Sequence, residues 1–198
     1  MTLPYQPNNP PPPQLTEAHL QQLAAARRAA KKLRRAAGVA NFDGWTLAFF
    51  AGLTLLFGIT SVDGWISGLV LAAMAFIELR GAARLRVLDP MAPRMLGLNQ
   101  AALAGLIILY ALWQIYQQST GKSELAAAAA ATDPQVAEMV GPMVQQMTLV
   151  LYGGLIAVAI CAQGGLALYY FTRARTLRLY REQTPQWILQ MQESGVAM

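Results

Sequence analysis

Charge is what this chain has least of. Asp, Glu, Lys and Arg make up 13% of its 198 residues, where a soluble domain carries about 25%. With a hydrophobic share of 55% and a mean hydropathy of +0.34, that deficit excludes an ordinary soluble domain and points to the membrane class. Histidine is nearly missing too. His19 is the single one and stands in a polar stretch, so neither a bis-imidazole haem nor a cysteine–histidine zinc site is expected. Without an imidazole near the apolar runs no nucleophile–base pair forms, and no two acids stand together with room for acid–base work. The one cysteine, Cys161, lies inside the last apolar run; it forms no internal disulfide and is expected to be inert packing. No cleavable leader is visible, because the first 14 residues are polar and proline-rich and no apolar run begins before Gly44. The first run is therefore expected to remain as an anchor. We expect no catalytic, cofactor or metal residues.

Gly121–Lys122–Ser123 has the ending of a phosphate loop, but the glycine required five residues earlier is Tyr116. A membrane helix, not a strand, is expected before it, so nucleotide binding is not expected.

What is present is an all-α pattern: a four-helix transmembrane bundle with flanking amphipathic cytoplasmic helices. Residues 1–14 form a proline-rich disordered tail, extended because proline fixes φ and lacks an amide proton. Residues 15–40 form a basic amphipathic helix, with Thr16 as its N-cap and an end near Ala37. Arg27, Arg28, Lys31, Lys32, Arg34 and Arg35 fall within roughly 160° of arc on a helical wheel. The other side is mostly alanine and is weakly hydrophobic. These six cations are the candidate membrane-surface or partner-binding residues, drawn to anionic lipids of the cytoplasmic leaflet.

The transmembrane domain is placed at 41–172. Its four apolar runs, about 44–61, 64–79, 98–116 and 147–171, are each near the length that crosses a hydrocarbon layer about 30 Å thick. Six of the fifteen lysines and arginines precede the first run, four lie between the second and third, and four follow the fourth. Only Lys122 stands on the opposite side, so both termini are expected in the cytoplasm. The alanine- and arginine-rich composition suggests a bacterial inner membrane.

The triplet Asp-Gly-Trp occurs at 43–45 and again at 63–65, one crossing plus a turn apart. Asp43 and Asp63 are expected to cap the helices they precede, with Trp45 and Trp65 in the headgroup belt. Residues 46–57 and 66–77 share no identity at that offset, which rejects an internal duplication. The external loop, 117–146, is expected to hold a helix capped by Ser123 over an alanine run. A second short piece should start at Pro134 and break at Gly141–Pro142. The segment 173–198 is cytoplasmic, with an interfacial helix after Thr184–Pro185 that turns Trp187, Ile188 and Met191 to one side.

Three residues are candidate interhelical polar contacts: Glu78, Gln163 and Arg173. Glu78 is expected in a boundary ion pair with Arg173 or Arg94, the alternative being a titrating role. Gln163 is expected to make an interhelical hydrogen bond. Small residues recur every four positions at Gly64, Gly68 and Ala72, at Ala101 and Gly105, and at Ala157, Cys161 and Gly165. Packing within one bundle is their first expected use. These observations favour a non-enzymatic accessory or scaffold protein, packing in a membrane complex or homo-oligomer. The alternatives are a small oligomeric channel or permease lined by Gln163, Ser67, Thr54 and Glu78, and an anchor whose basic helix holds an acidic partner. Nucleic acid ranks below an acidic protein for that last role.

The charge asymmetry makes one outcome testable directly. Cysteine accessibility or reporter fusions should place Lys122 outside and Arg86 inside; a cytoplasmic Lys122 would overturn the layout.

Overall fold

The computed structural model describes residues 16–120 and 134–193. The proline-rich tail, the Gly121–Lys122–Ser123 triplet with its proposed cap, and the alanine run lie outside them. The described residues are helical almost throughout, with no strand among them. In chain order they are α1 (Glu17–Phe57), α2 (Val62–Arg86), α3 (Ala92–Ser119), α4 (Pro134–Val158), a π-helical turn (Ala159–Gly164), α5 (Gly165–Gln183) and α6 (Gln186–Glu193). Four helices are long and apolar enough to cross a membrane, the last running continuously through α4, the π turn and α5.

Thr16 does cap α1. Its hydroxyl accepts from the His19 amide, and the His19 ring accepts from the Thr16 amide, closing a capping box. The helix then continues through Ala37 and Asp43 to Phe57, 41 residues in all. The expected break and the expected Asp43 cap are both overturned. The reason is local: no proline occurs between Pro13 and Pro90, and isolated glycines weaken a helix without ending it. Ser61, not Asp63, caps α2, its hydroxyl accepting from the Gly64 amide at 3.1 Å. Asp63 stays in the first turn, where its charge still meets the helix dipole.

Between α1 and α2 the chain reverses in four residues. The Gly58 and Gly64 backbones touch there, and a Cβ on Gly64 would fall on the Gly58 backbone. The α2–α3 connection is a helix C-terminal motif completed by a leucine. The Leu88 amide donates to the Leu85 carbonyl and the Asp89 amide to the Arg84 carbonyl, each at 3.1 Å. That geometry calls for a left-handed residue, a place glycine usually fills. Here Leu88 takes it with φ 60°, and its side chain is buried in the core in return. Asp89 then accepts from the Met91 amide at 2.9 Å, and α3 starts with proline in its first turn.

The core has two parts. The larger lies at the end of the bundle that carries the arginines, here the basic end. It joins Ala26, Ala30, Leu33, Ala36 and Ala37 of α1 to Leu85 and Leu96, and to Tyr170, Leu177 and Ile188 of α5 and α6. The alanine face of the basic helix is therefore spent on the chain's own core, with all six cations exposed on the outside. Alanine suits that position because it lets neighbouring helices approach closely. The helix also leaves the apolar run along its own axis. At 1.5 Å per residue, its cations sit about 14 to 26 Å from Gly44, all beyond a Debye length of about 8 Å. That arrangement differs from a helix lying along the lipid. α6 likewise folds onto α1: Ile188 is fully buried, and the Trp187 indole donates to Gln22 at 3.3 Å and meets His19 edge-on.

The smaller core part, Leu47, Ala75 and Leu103, lies toward the far end. Much of the rest there is exposed apolar surface, including Phe49, Phe57, Leu109 and Val150. Gly141–Pro142 does not break α4, which runs through Pro142. Proline removes one backbone bond, a loss tolerated in long apolar helices.

The glycines separate by what surrounds them. Gly64→Ala should lower the melting temperature in detergent, by an overpacking cost of about 1–3 kcal/mol. Gly105→Ala meets nothing within 4 Å and should be neutral or stabilising by up to about 1 kcal/mol. Equal effects would contradict the α1–α2 contact.

Candidate functional site

Between the two core parts lies a layer of polar side chains, one from each turn that separates apolar neighbours. Asp43 stands between Ala40 and Leu47 on α1, and Glu78 between Ala75 and Ala82 on α2. Asn99 and Gln100 stand between Leu96 and Leu103 on α3, and Tyr170 joins them from α5. Spacings of three and four residues keep each polar group on the inward stripe of its helix. Glu78, Gln100 and Tyr170 are fully buried, and Asn99 is 5% exposed.

The bonding runs through α3. The Asn99 amide group donates to Glu78 Oε2 at 2.8 Å and to the Met74 carbonyl at 3.2 Å. The Gln100 amide group donates to Asp43. Because each amide nitrogen faces only acceptors, both side chains have one workable orientation, and their oxygens must point elsewhere. Those oxygens, Glu78 Oε1 and the Tyr170 hydroxyl are buried without a protein partner. Tyr170 faces Glu78 without reaching hydrogen-bond geometry, and the Asp43 and Glu78 charges act on one another. Among the described residues neither carboxylate has an ion-pair partner.

The expected Glu78 ion pair is thus replaced by a hydrogen bond to a carboxamide. Arg94 is exposed on the outer side of α3. Arg173 lays its guanidinium over the Tyr169 ring at 4.5 Å, with its Nε buried and unbonded. Gln163 sits in the π-helical turn with its side-chain oxygen buried and unbonded, so the expected interhelical bond is not made through that atom. Thr54 turns its hydroxyl back to the Phe50 carbonyl at 2.8 Å, and Ser67 is exposed. The four suggested channel residues make no hydrogen bonds to one another.

Asp43, Asn99, Gln100 and Tyr170 were missed by sequence reasoning. Asp43 reads as a cap, while Asn99 and Gln100 fall unremarked inside the third apolar run. The available signal was that acids and amides fall within two residues of the basic end of three successive runs. Chemically, the layer offers more oxygen lone pairs than donors. It can hold a proton, a water molecule or a small cation, but it contains no nucleophile–base pair. No three His, Cys, Asp or Glu side chains converge among the described residues.

The fold and this layer together define an all-helical membrane protein with four membrane-competent helices. Comparison with protein-family models, curated proteins and solved structures finds no match for the chain.

Removing the donor tests the layer. Asn99→Leu leaves Glu78 unsatisfied and should cost about 2–4 kcal/mol, whereas Glu78→Gln keeps an acceptor and should cost less than about 1 kcal/mol. In double-mutant cycles, Glu78 should couple to Asn99 by more than about 1 kcal/mol and to Arg173 by nothing measurable. Stronger coupling to Arg173 would restore the ion pair.

Proposed function

We propose that the chain is a multi-pass, non-enzymatic accessory or scaffold protein that associates laterally through its last membrane helix. We place the basic end and both termini in the cytoplasm, most simply of a bacterial inner membrane. The supporting observation is the poor burial of that helix. In its most apolar 18-residue window 6% of residues are buried, against 39% in α3. Ala157, Cys161 and Gly165 stand exposed along it, and added side chains at Gly153, Gly154, Gly164 and Gly165 would meet nothing. Lipid chains have no need of small residues, whereas helix–helix contact in lipid depends on them. The first small-residue stripe, by contrast, is already used inside the molecule, where Gly68 packs under Leu55.

A second reading, an ion- or proton-coupled permease, is favoured by one observation: the half-buried Asp43 and the buried Glu78 share a layer to which no described residue brings a cation. Buried acids among membrane helices often mark translocation paths. On that reading Glu78→Gln abolishes cellular activity without loss of stability. The exposed cations Arg27, Arg28, Lys31, Lys32 and Arg35 of α1 remain open to an acidic partner in either case.

Cys161 permits a direct test, because it is the only thiol and is exposed. A short thiol-to-thiol cross-linker in native membranes should give one discrete product, at twice the monomer mass if the partner is a second copy. Cys161→Ser should abolish it. A thiol that labels freely with a lipid-soluble maleimide but never cross-links would reject lateral association through this face.

A further inference from the structure

A cavity of about 820 Å³ forms an open groove between the start of α3 and α5. It is separate from the buried acid layer and opposite to it in charge. Arg94 enters from α3, and Arg175, Arg178 and Arg181 from α5, against a single acid, Glu182. The two helices run antiparallel here, and each passes from apolar to basic in the same direction. On α3, Leu98 precedes Arg94 by one turn toward the basic end. On α5, Phe171 is followed by Arg175 and then Arg178 at the same helical face. Leu98 and Phe171 therefore form an apolar upper wall, and the arginines form a basic lower one.

The inner wall is close-packed. The Phe171 ring lies 3.0 Å from where a Cβ on Gly97 would be, so a side chain there would push the ring away from α3 by a few tenths of an ångström. Phe171 and Leu98 nonetheless remain 40% and 63% exposed, leaving apolar surface free above the cations. Arg178 pairs with Glu182 at 3.6 Å, but both side chains are more than half exposed, and such a pair is weak enough to yield to a better anion.

We propose that this groove binds an anionic phospholipid from the leaflet at the basic end. Its phosphate lies on Arg94, Arg175 and Arg178, and the start of an acyl chain lies on Leu98 and Phe171. Charge complementarity argues for this occupant, since guanidinium groups match phosphate in shape as well as charge. The apolar wall argues for a lipid over a free anion. Basic pockets between membrane helices commonly hold lipid headgroups, and the volume is in the range of small-molecule sites. A general excess of positive charge would not gather arginines from two distant segments at one groove. The six cations of α1 lie outside it, and they supply the control.

The test is native mass spectrometry of the full chain in mild detergent, read on the monomer, so it does not depend on lateral association. The wild type should retain phosphatidylglycerol in preference to phosphatidylethanolamine. Arg94→Gln with Arg175→Gln should weaken that retention roughly tenfold or more, while Arg27→Gln with Arg28→Gln leaves it unchanged. Should the groove variant fail to elute as a folded monomer, Arg178→Gln alone is read in the same assay. Thermal stability should rise with phosphatidylglycerol and not with the same concentration of inorganic phosphate. Equal loss in both double variants would reduce the effect to bulk charge. A shift with phosphate alone would make the groove an anion site, and equal retention of both lipids would reject the headgroup contact.

Discussion

Glu78 is buried and Asp43 half-buried at one level of this bundle, and no described residue brings a cation to meet them. A charged or even polar group in apolar surroundings costs several kcal/mol unless hydrogen bonds replace its water. Two adjacent carboxamides on α3 supply those bonds, Asn99 to Glu78 on α2 and Gln100 to Asp43 on α1. Because neighbours on a helix point about 100° apart, the two amides reach different partners, and α3 becomes the element on which α1 and α2 are keyed. Sliding any of the three by a turn would set an acid against Leu47, Ala75 or Leu103. The layer therefore fixes register, and the packing on either side follows from it.

Below the layer, helix ends that leave the apolar runs close into a well-buried core around Leu33, Leu85, Leu96, Leu177 and Ile188. Exposed cations clothe that core, as expected where water supplies the driving force for burial. Above it, large apolar side chains point outward, because lipid gives no hydrophobic reason to bury them. The proposed roles sit where these regimes meet or where one ends. The arginine groove lies at their border, and the open stripe of the last helix lies wholly in the apolar part.

Leu88 shows how the two regimes are joined. A left-handed leucine is strained on its own, yet its buried side chain adds to the basic-end core while the turn satisfies the last carbonyls of α2. The α1–α2 reversal at the other end uses the opposite device, backbone contact at Gly58 and Gly64, where no side chain fits. One connection is held by a side chain and the other by its absence.

Membrane class, the four apolar helices, their approximate places and the Thr16 cap were legible from composition and periodicity, which are local properties. Helix continuity through Asp43 was legible in principle, since no proline interrupts it, but a cap residue and an interior residue look alike until a partner is known. The partner is what distance along the chain conceals: Gln100 lies 57 residues from Asp43, and Asn99 lies 21 from Glu78. Whether an alanine face rests on lipid or on protein is hidden for the same reason, as is which small-residue stripe is filled and which stands open. Hydropathy says only that a surface avoids water. Which other surface covers it is decided when the helices pack.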